Sequence, residues 1–138
     1  MKAALGGTVE TCGRTEEIVG RWLKGRRQDV ILATKAFGKM GPNPWDQGSS
    51  RKHLLDAIDA SLKRLQTDHV DIYFMHRDNE EVPVGEFVDA LNAEVTAGRI
   101  KDAFGGSNWS RARMDAAIKY AGKHGLMAPN ALSNNFAL

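Results

Sequence analysis

SLKRLQTDHVDIYFMHR, residues 61–77, sets two hydrophobic periods back to back. Its first half closes a repeat of Leu54, Leu55, Ile58, Leu62 and Leu65, whose spacing puts the apolar side chains on one helix face. Ser50 stands ahead of that helix as a candidate N-cap. After the polar break QTD, VDIYFMH (70–76) reads as a strand that ends on a polar residue, His76. Upstream, DVILATKAF (29–37) is a near-continuous apolar run, the mark of a strand covered on both faces, and Lys35 lies near its end. TEEIVGRWLKG (15–25) reads as a short helix with Trp22 in the core, and GKMGPNPWDQGSS (38–50) as a Gly- and Pro-rich loop. Downstream, Val84, Phe87, Val88, Leu91 and Val95 line a helix that stops at Gly98. IKDAFGG (100–106) is a third strand. A helix with Ser110 as N-cap and Met114, Ala117, Ile118 and Ala121 inward ends at Gly125, and NALSNNFAL (130–138) is a fourth strand.

The order is a helix, three strand–helix units and a strand. Helices between successive strands imply parallel pairing. Two architectures satisfy this, an open doubly wound sheet or an arc of a (β/α) barrel. A dinucleotide-binding open sheet carries G-x-G-x-x-G directly after its first strand. FGKMGPNP (37–44) lacks that spacing and has prolines where a helix should open, so the barrel arc is favoured. A whole barrel takes roughly 250 residues. The expectation for these 138 residues is therefore one domain over 1–138, a TIM-type half-barrel of about four parallel strands. In such barrels, reactive side chains project from the C-terminal ends of strands into one mouth, which singles out Lys35 and His76.

Composition excludes several classes. With 42% hydrophobic and 26% charged residues and a net charge of +2, the chain is neither disordered nor a membrane span. The densest basic run, KGRR (24–27), is expected to close the first helix, where cations complement the dipole. No nucleic-acid motif accompanies it. Cys12 is the single cysteine, so no intrachain disulfide can form, which fits a reducing cytoplasm. MKAALGG has no long apolar core, so a signal peptide is not expected; the expected location is cytoplasmic. No metal-ligand spacing is present.

ATK (33–35), SLKRLQTDHVDIYFMHR (61–77), AGRIKDAFGGSNWS (97–110) and LSNNFAL (132–138) together resemble the aldo-keto reductases, in order and in spacing. The resemblance implies a (β/α)8 barrel, bound NADPH and hydride transfer to an aldehyde or ketone. It implies a catalytic lysine at Lys35 and a carbonyl-orienting histidine at His76. Ser107 and Asn108 match the pair that hydrogen-bonds the nicotinamide carboxamide. Ser133 falls near the family's glutamine, with Asn134 as the alternative register. Trp45 and Trp109 are expected to line the mouth.

The departures carry equal weight. GTVETCG (7–13) aligns in length with the family's Asp-Thr-Ala-x-x-Tyr-Gly segment. That register puts Gly7 at the aspartate and Cys12 at the proton-donating tyrosine. Tyr73 and Tyr120 lie within a strand and a helix, away from the mouth. The segments that would grip the cofactor phosphates are not recognisable. Impaired reduction is therefore expected, and the alternative is a non-catalytic half-barrel acting as a structural or binding module. An arc with two open edges and an apolar concave face invites association, and four strands from each of two chains would make eight. A homodimer is the favoured assembly. Bland roles remain for each residue: a solvated lysine, a polar strand exit at His76, a turn cap at Ser107.

Overall fold

The computed structural model describes residues 13–35, 51–75, 78 and 80–134. Helix α1 (Arg14–Trp22) opens with Glu16 and Glu17 in its first turn, where carboxylates complement the N-terminal dipole. A 3₁₀ turn (Arg27–Asp29) leads into β1 (Ala33–Lys35). Then follow α2 (Arg51–Leu65), β2 (Val70–Met75), α3 (Val84–Thr96), β3 (Ile100–Ser107), α4 (Arg111–His124) and β4 (Ala131–Ser133).

The strands form one sheet in the order β1-β2-β3-β4, and every pair is parallel. The β2–β3 register shifts by one residue between Val70 and Ile72, and beyond that point it runs straight across: Lys35 lies beside Phe74, Phe74 beside Gly105, and Gly105 beside Ala131. Consecutive parallel neighbours joined by helices define an arc of a (β/α) barrel, as the sequence pattern implied. Alternation along β2 sends Tyr73 and Met75 to one face and Ile72 and Phe74 to the other. Tyr73 and Met75 are fully buried in the core with Leu54, Ile58 and Leu65 of α2 and Phe87, Val88 and Leu91 of α3; Ile72 and Phe74 are half-buried. Ile31, just before β1, is 78% exposed, and Leu132 in edge strand β4 is 50% exposed.

Helix ends follow local chemistry. The Ser110 side chain accepts a hydrogen bond from the Arg113 amide, and Gly125 closes α4 at φ 66°, both as the sequence implies. Gly98, at φ 77°, follows Ala97, the C-cap of α3, and permits the left-handed turn that stops the helix.

Four expectations are corrected. Trp22 is not core: it is 52% exposed, and the Arg26 guanidinium lies 4.7 Å over its ring, a cation–π contact that covers a surface aromatic. The KGRR run does not close α1, which ends at Trp22. Arg27 instead reaches across the chain, pairing with Asp71 at 3.1 Å and donating to the Thr67 hydroxyl and to the Val30 and His69 carbonyls. Strand β1 begins at Ala33 and not at Asp29, which belongs to the 3₁₀ turn Arg27–Asp29; residues 36 and 37 lie outside the described residues. Ile118 is 42% exposed, since α4 buries only Ala117 and Ala121, small residues that let it lie close to its neighbours. Ser50 and Trp45 lie outside the described residues.

Candidate active site

Because all four strands run parallel, their C-terminal ends share one edge of the sheet. Lys35 ends β1, Ser107 ends β3 and Ser133 ends β4. Lys35 crosses the mouth over β2: its Nζ donates to Ser107 Oγ at 3.3 Å and to Ser133 Oγ at 3.2 Å. The ammonium lies 5.6 Å from the centre of the Phe74 ring, which forms the floor beneath it. Ser107 is buried, at 4% exposure, whereas Lys35 and Ser133 are half-buried and open the cluster to solvent. Among the described residues no carboxylate pairs with Lys35.

The GGSNWS segment explains how residues so distant in sequence converge. A methyl group on Gly105 would lie 1.6 Å from the Ala131 carbonyl oxygen, so only glycine lets β4 pack this close to β3. Two residues on, that approach places Ser107 beside Ser133. A methyl on Gly106 would meet the Trp109 ring at 2.3 Å, so the second glycine lets the tryptophan fold back over the strand. Trp109 is therefore core and not a mouth aromatic: it is 3% exposed and packs edge-on against Phe87 with centroids 4.7 Å apart. Asn108, at φ 56°, donates its backbone N–H to the Ser133 carbonyl at 3.1 Å, fastening the two strand ends while its side chain stays exposed. The Asn134 side chain donates to the Trp109 carbonyl at 3.4 Å, so of the two registers weighed for β4 it is Ser133 that reaches the lysine.

His76 lies outside the described residues, as do Gly7 and Cys12. The chain just beyond His76 is held by a residue that sequence reasoning missed. Arg113 of α4 donates to Asp78 at 2.9 Å and to the Val82 carbonyl at 2.5 Å, and its guanidinium lies 5.7 Å over the Phe87 ring. The only local signal was its place three residues after the cap Ser110. The two tyrosines stand apart from the mouth. Tyr73 is wholly buried, its hydroxyl lacks a hydrogen-bond partner, and burial, with Glu16 and Glu94 adding, pushes its pKa well above the usual phenol value. Tyr120 donates to Asp89 at 3.0 Å on the outer face of the helices, a bond that holds its proton on.

Among the described residues no group of three His, Cys, Asp or Glu could hold a metal ion, and no helix is long and apolar enough to cross a membrane.

A lysine held among the strand ends of a parallel (β/α) arc defines the class. The sequence profile of the Aldo/keto reductase family matches residues 11–138, and the chain belongs to that family. It is 40% identical over 121 residues to a probable voltage-gated potassium channel subunit beta of Oryza sativa subsp. japonica, covering 85% of this chain and 36% of the relative. It is 37% identical over 119 residues to the aldo-keto reductase YhdN of Bacillus subtilis (strain 168), with the same coverage. A third relative, the L-glyceraldehyde 3-phosphate reductase of Escherichia coli (strain K12), is 41% identical over 91 residues, 63% of this chain and 26% of that protein. The chain thus spans about a third of the length of the first two.

Proposed function

We propose that this chain carries the lysine and nicotinamide side of an NADPH-dependent carbonyl reductase site, with turnover reduced by the residues that stand at the acid position. The observation that carries the reading is the convergence of Lys35, Ser107 and Ser133 within hydrogen-bond distance at the strand ends. The residues fit the nicotinamide end of the cofactor. Ser107 and Ser133 each offer a hydroxyl proton with no other acceptor among the described residues, and exposed Asn108 adds an amide beside them. NADPH, when bound, supplies the hydride. Lys35 would hold positive charge near a carbonyl oxygen that becomes an alkoxide, and preorganised charge of that kind lowers the barrier. Phe74 excludes water from one side of the ammonium. The fit is weaker for the phosphates, because Arg27, Arg64, Arg99 and Arg113 are all committed to carboxylates.

The impairment follows from the sequence register, which sets Cys12 at the tyrosine and Gly7 at the aspartate. A positioned general acid contributes about 10²–10⁴-fold, equal to about 3–5 kcal/mol of barrier. Neither Tyr73 nor Tyr120 makes up the loss, given where they lie. The test is a fluorescence titration with NADPH on the wild type, Lys35→Ala and His76→Ala, followed by turnover of a simple aldehyde by the Gly7→Asp/Cys12→Tyr double variant. Saturable cofactor binding and a gain in kcat of about a hundredfold or more support the reading. Absence of cofactor binding refutes it.

A second reading is a half-barrel stabilised by self-association as a homodimer, acting as a structural or binding module. It is favoured by the exposed Ile31 and Leu132 and by β1 and β4, each with one strand neighbour among the described residues. A monomeric mass by light scattering at micromolar concentration removes it.

A further inference from the structure

The cluster at the strand ends joins one ammonium to two hydroxyls. An ammonium has three N–H donors and no acceptor. Lys35 uses two of them on Ser107 and Ser133, which leaves one. Each serine oxygen spends a lone pair on that ammonium, so its own proton must point elsewhere, and it meets no acceptor among the described residues. Among the described residues, one N–H and two O–H donors are therefore left without acceptors beside a full positive charge. No carboxylate among the described residues balances it. A ligand with acceptors alone and negative charge uses all of these donors, because bonds from a charged donor to an anionic oxygen are about twice as strong as neutral ones.

We propose that Lys35, Ser107 and Ser133 form a binding site for a small oxyanion, of the phosphate or carboxylate class, and that this anion competes with the nicotinamide end of the cofactor. The site is built and not incidental. Ser107 is 4% exposed and cannot turn away from the mouth without repacking the strand end. Phe74 walls off the other side of the ammonium at 5.6 Å, which limits screening by water. Gly105 fixes the spacing of the two serine strands. Access is through half-buried Lys35 and Ser133. The competition deepens the functional reading above and rests on it; the anion site itself does not, since it requires only the three side chains.

The experiment titrates the purified full chain with inorganic phosphate and sulfate, against chloride at matched ionic strength. The readout is the backbone ¹⁵N–¹H shifts of Ser107, Asn108 and Ser133. Saturable shifts confined to these residues are expected in the wild type. Lys35→Met should weaken binding about tenfold or more, Ser133→Ala less, and Lys35→Arg should keep it; the arginine variant also controls for folding. Shifts that rise linearly and equally with chloride, an adventitious ion only, overturn the site, as does an unchanged affinity in Lys35→Met. A parallel NADPH titration separates the two claims. A raised apparent Kd in saturating phosphate supports the competition. Cofactor binding that ignores phosphate removes the nicotinamide from these serines while the anion site stands on its own titration.

Discussion

Gly105→Ala tests whether strand spacing assembles the site. The added methyl would stand 1.6 Å from the Ala131 carbonyl oxygen, where ordinary contact begins at 3.4 Å. The obstacle is backbone, so no side-chain rotation relieves it. β4 is the element that can yield: it is an edge strand of three residues, paired to β3 through Gly105, Gly106 and Ser107. Displacing it strains or breaks that ladder, at a cost of about 1–3 kcal/mol in the manner of an overpacked core. It also carries Ser133 away from Lys35, whose 3.2 Å bond has no slack. Loss of a hydrogen bond to a charged group costs about 1.5–3 kcal/mol, so ligand affinity at the cluster should fall about tenfold or more. Ser107 sits on β3 itself and should keep its contact. Urea denaturation and the phosphate or NADPH titration read the two effects separately. Wild-type stability together with wild-type affinity in Gly105→Ala would refute the claim that this glycine sets the geometry.

Tyr73→Phe should be neutral or stabilising by about 1 kcal/mol, because the buried hydroxyl is desolvated without a partner; matched urea curves check it. Its raised pKa makes the wild type lose stability in alkali: the contribution is complete below the unfolded phenol value of 10.0 and falls as pH rises past it, so Tyr73→Phe should flatten the alkaline limb of a pH–stability profile. Arg27→Met should destabilise by about 2–4 kcal/mol, since it removes the counter-ion of partly buried Asp71, which among the described residues keeps only the Leu32 amide, and leaves the Val30 carbonyl without its side-chain donor, and thermal melts at low and high salt should show the same loss. Trp109→Ala should cost about 3–5 kcal/mol, measured by urea denaturation, and shift the Ser107 amide signal in NMR.

The alternation of strands and helices was legible because parallel strands covered on both faces leave long apolar runs, and because Ser110, Gly98 and Gly125 punctuate the helices by local chemistry alone. Lys35, Ser107 and Ser133 were legible as strand ends by family resemblance, but their mutual contact was not. It joins residues 72 and 98 positions apart and depends on a glycine whose role appears only when the neighbouring strand is in place. Trp22 and Trp109 were misjudged for one reason. Hydrophobicity and position in an element do not say what lies opposite, and only tertiary packing sends one tryptophan outward under Arg26 and folds the other under Phe87. Arg27 and Arg113 went unrecognised because a basic residue looks the same in sequence whether it is solvated or ties segments 35 to 42 residues apart.

The two functional inferences share one physical cause. In the family pattern, a lysine beside an aspartate and a tyrosine works through its neighbours: the carboxylate balances its charge and the phenol passes on the proton. In the register proposed above both are replaced, and among the described residues the lysine rests on two hydroxyls. Hydroxyls orient an ammonium but do not neutralise it, so among the described residues nothing cancels the charge offered to a ligand in the mouth. On the proposed reading, the replacements that remove the proton donor also leave the mouth more attractive to anions. Introducing the family's carboxylate and phenol at the proposed register should reverse both properties together: Gly7→Asp with Cys12→Tyr should raise turnover and weaken phosphate binding in the same protein. A double variant that gains activity yet binds phosphate as tightly as the wild type would separate the two and break the link argued here.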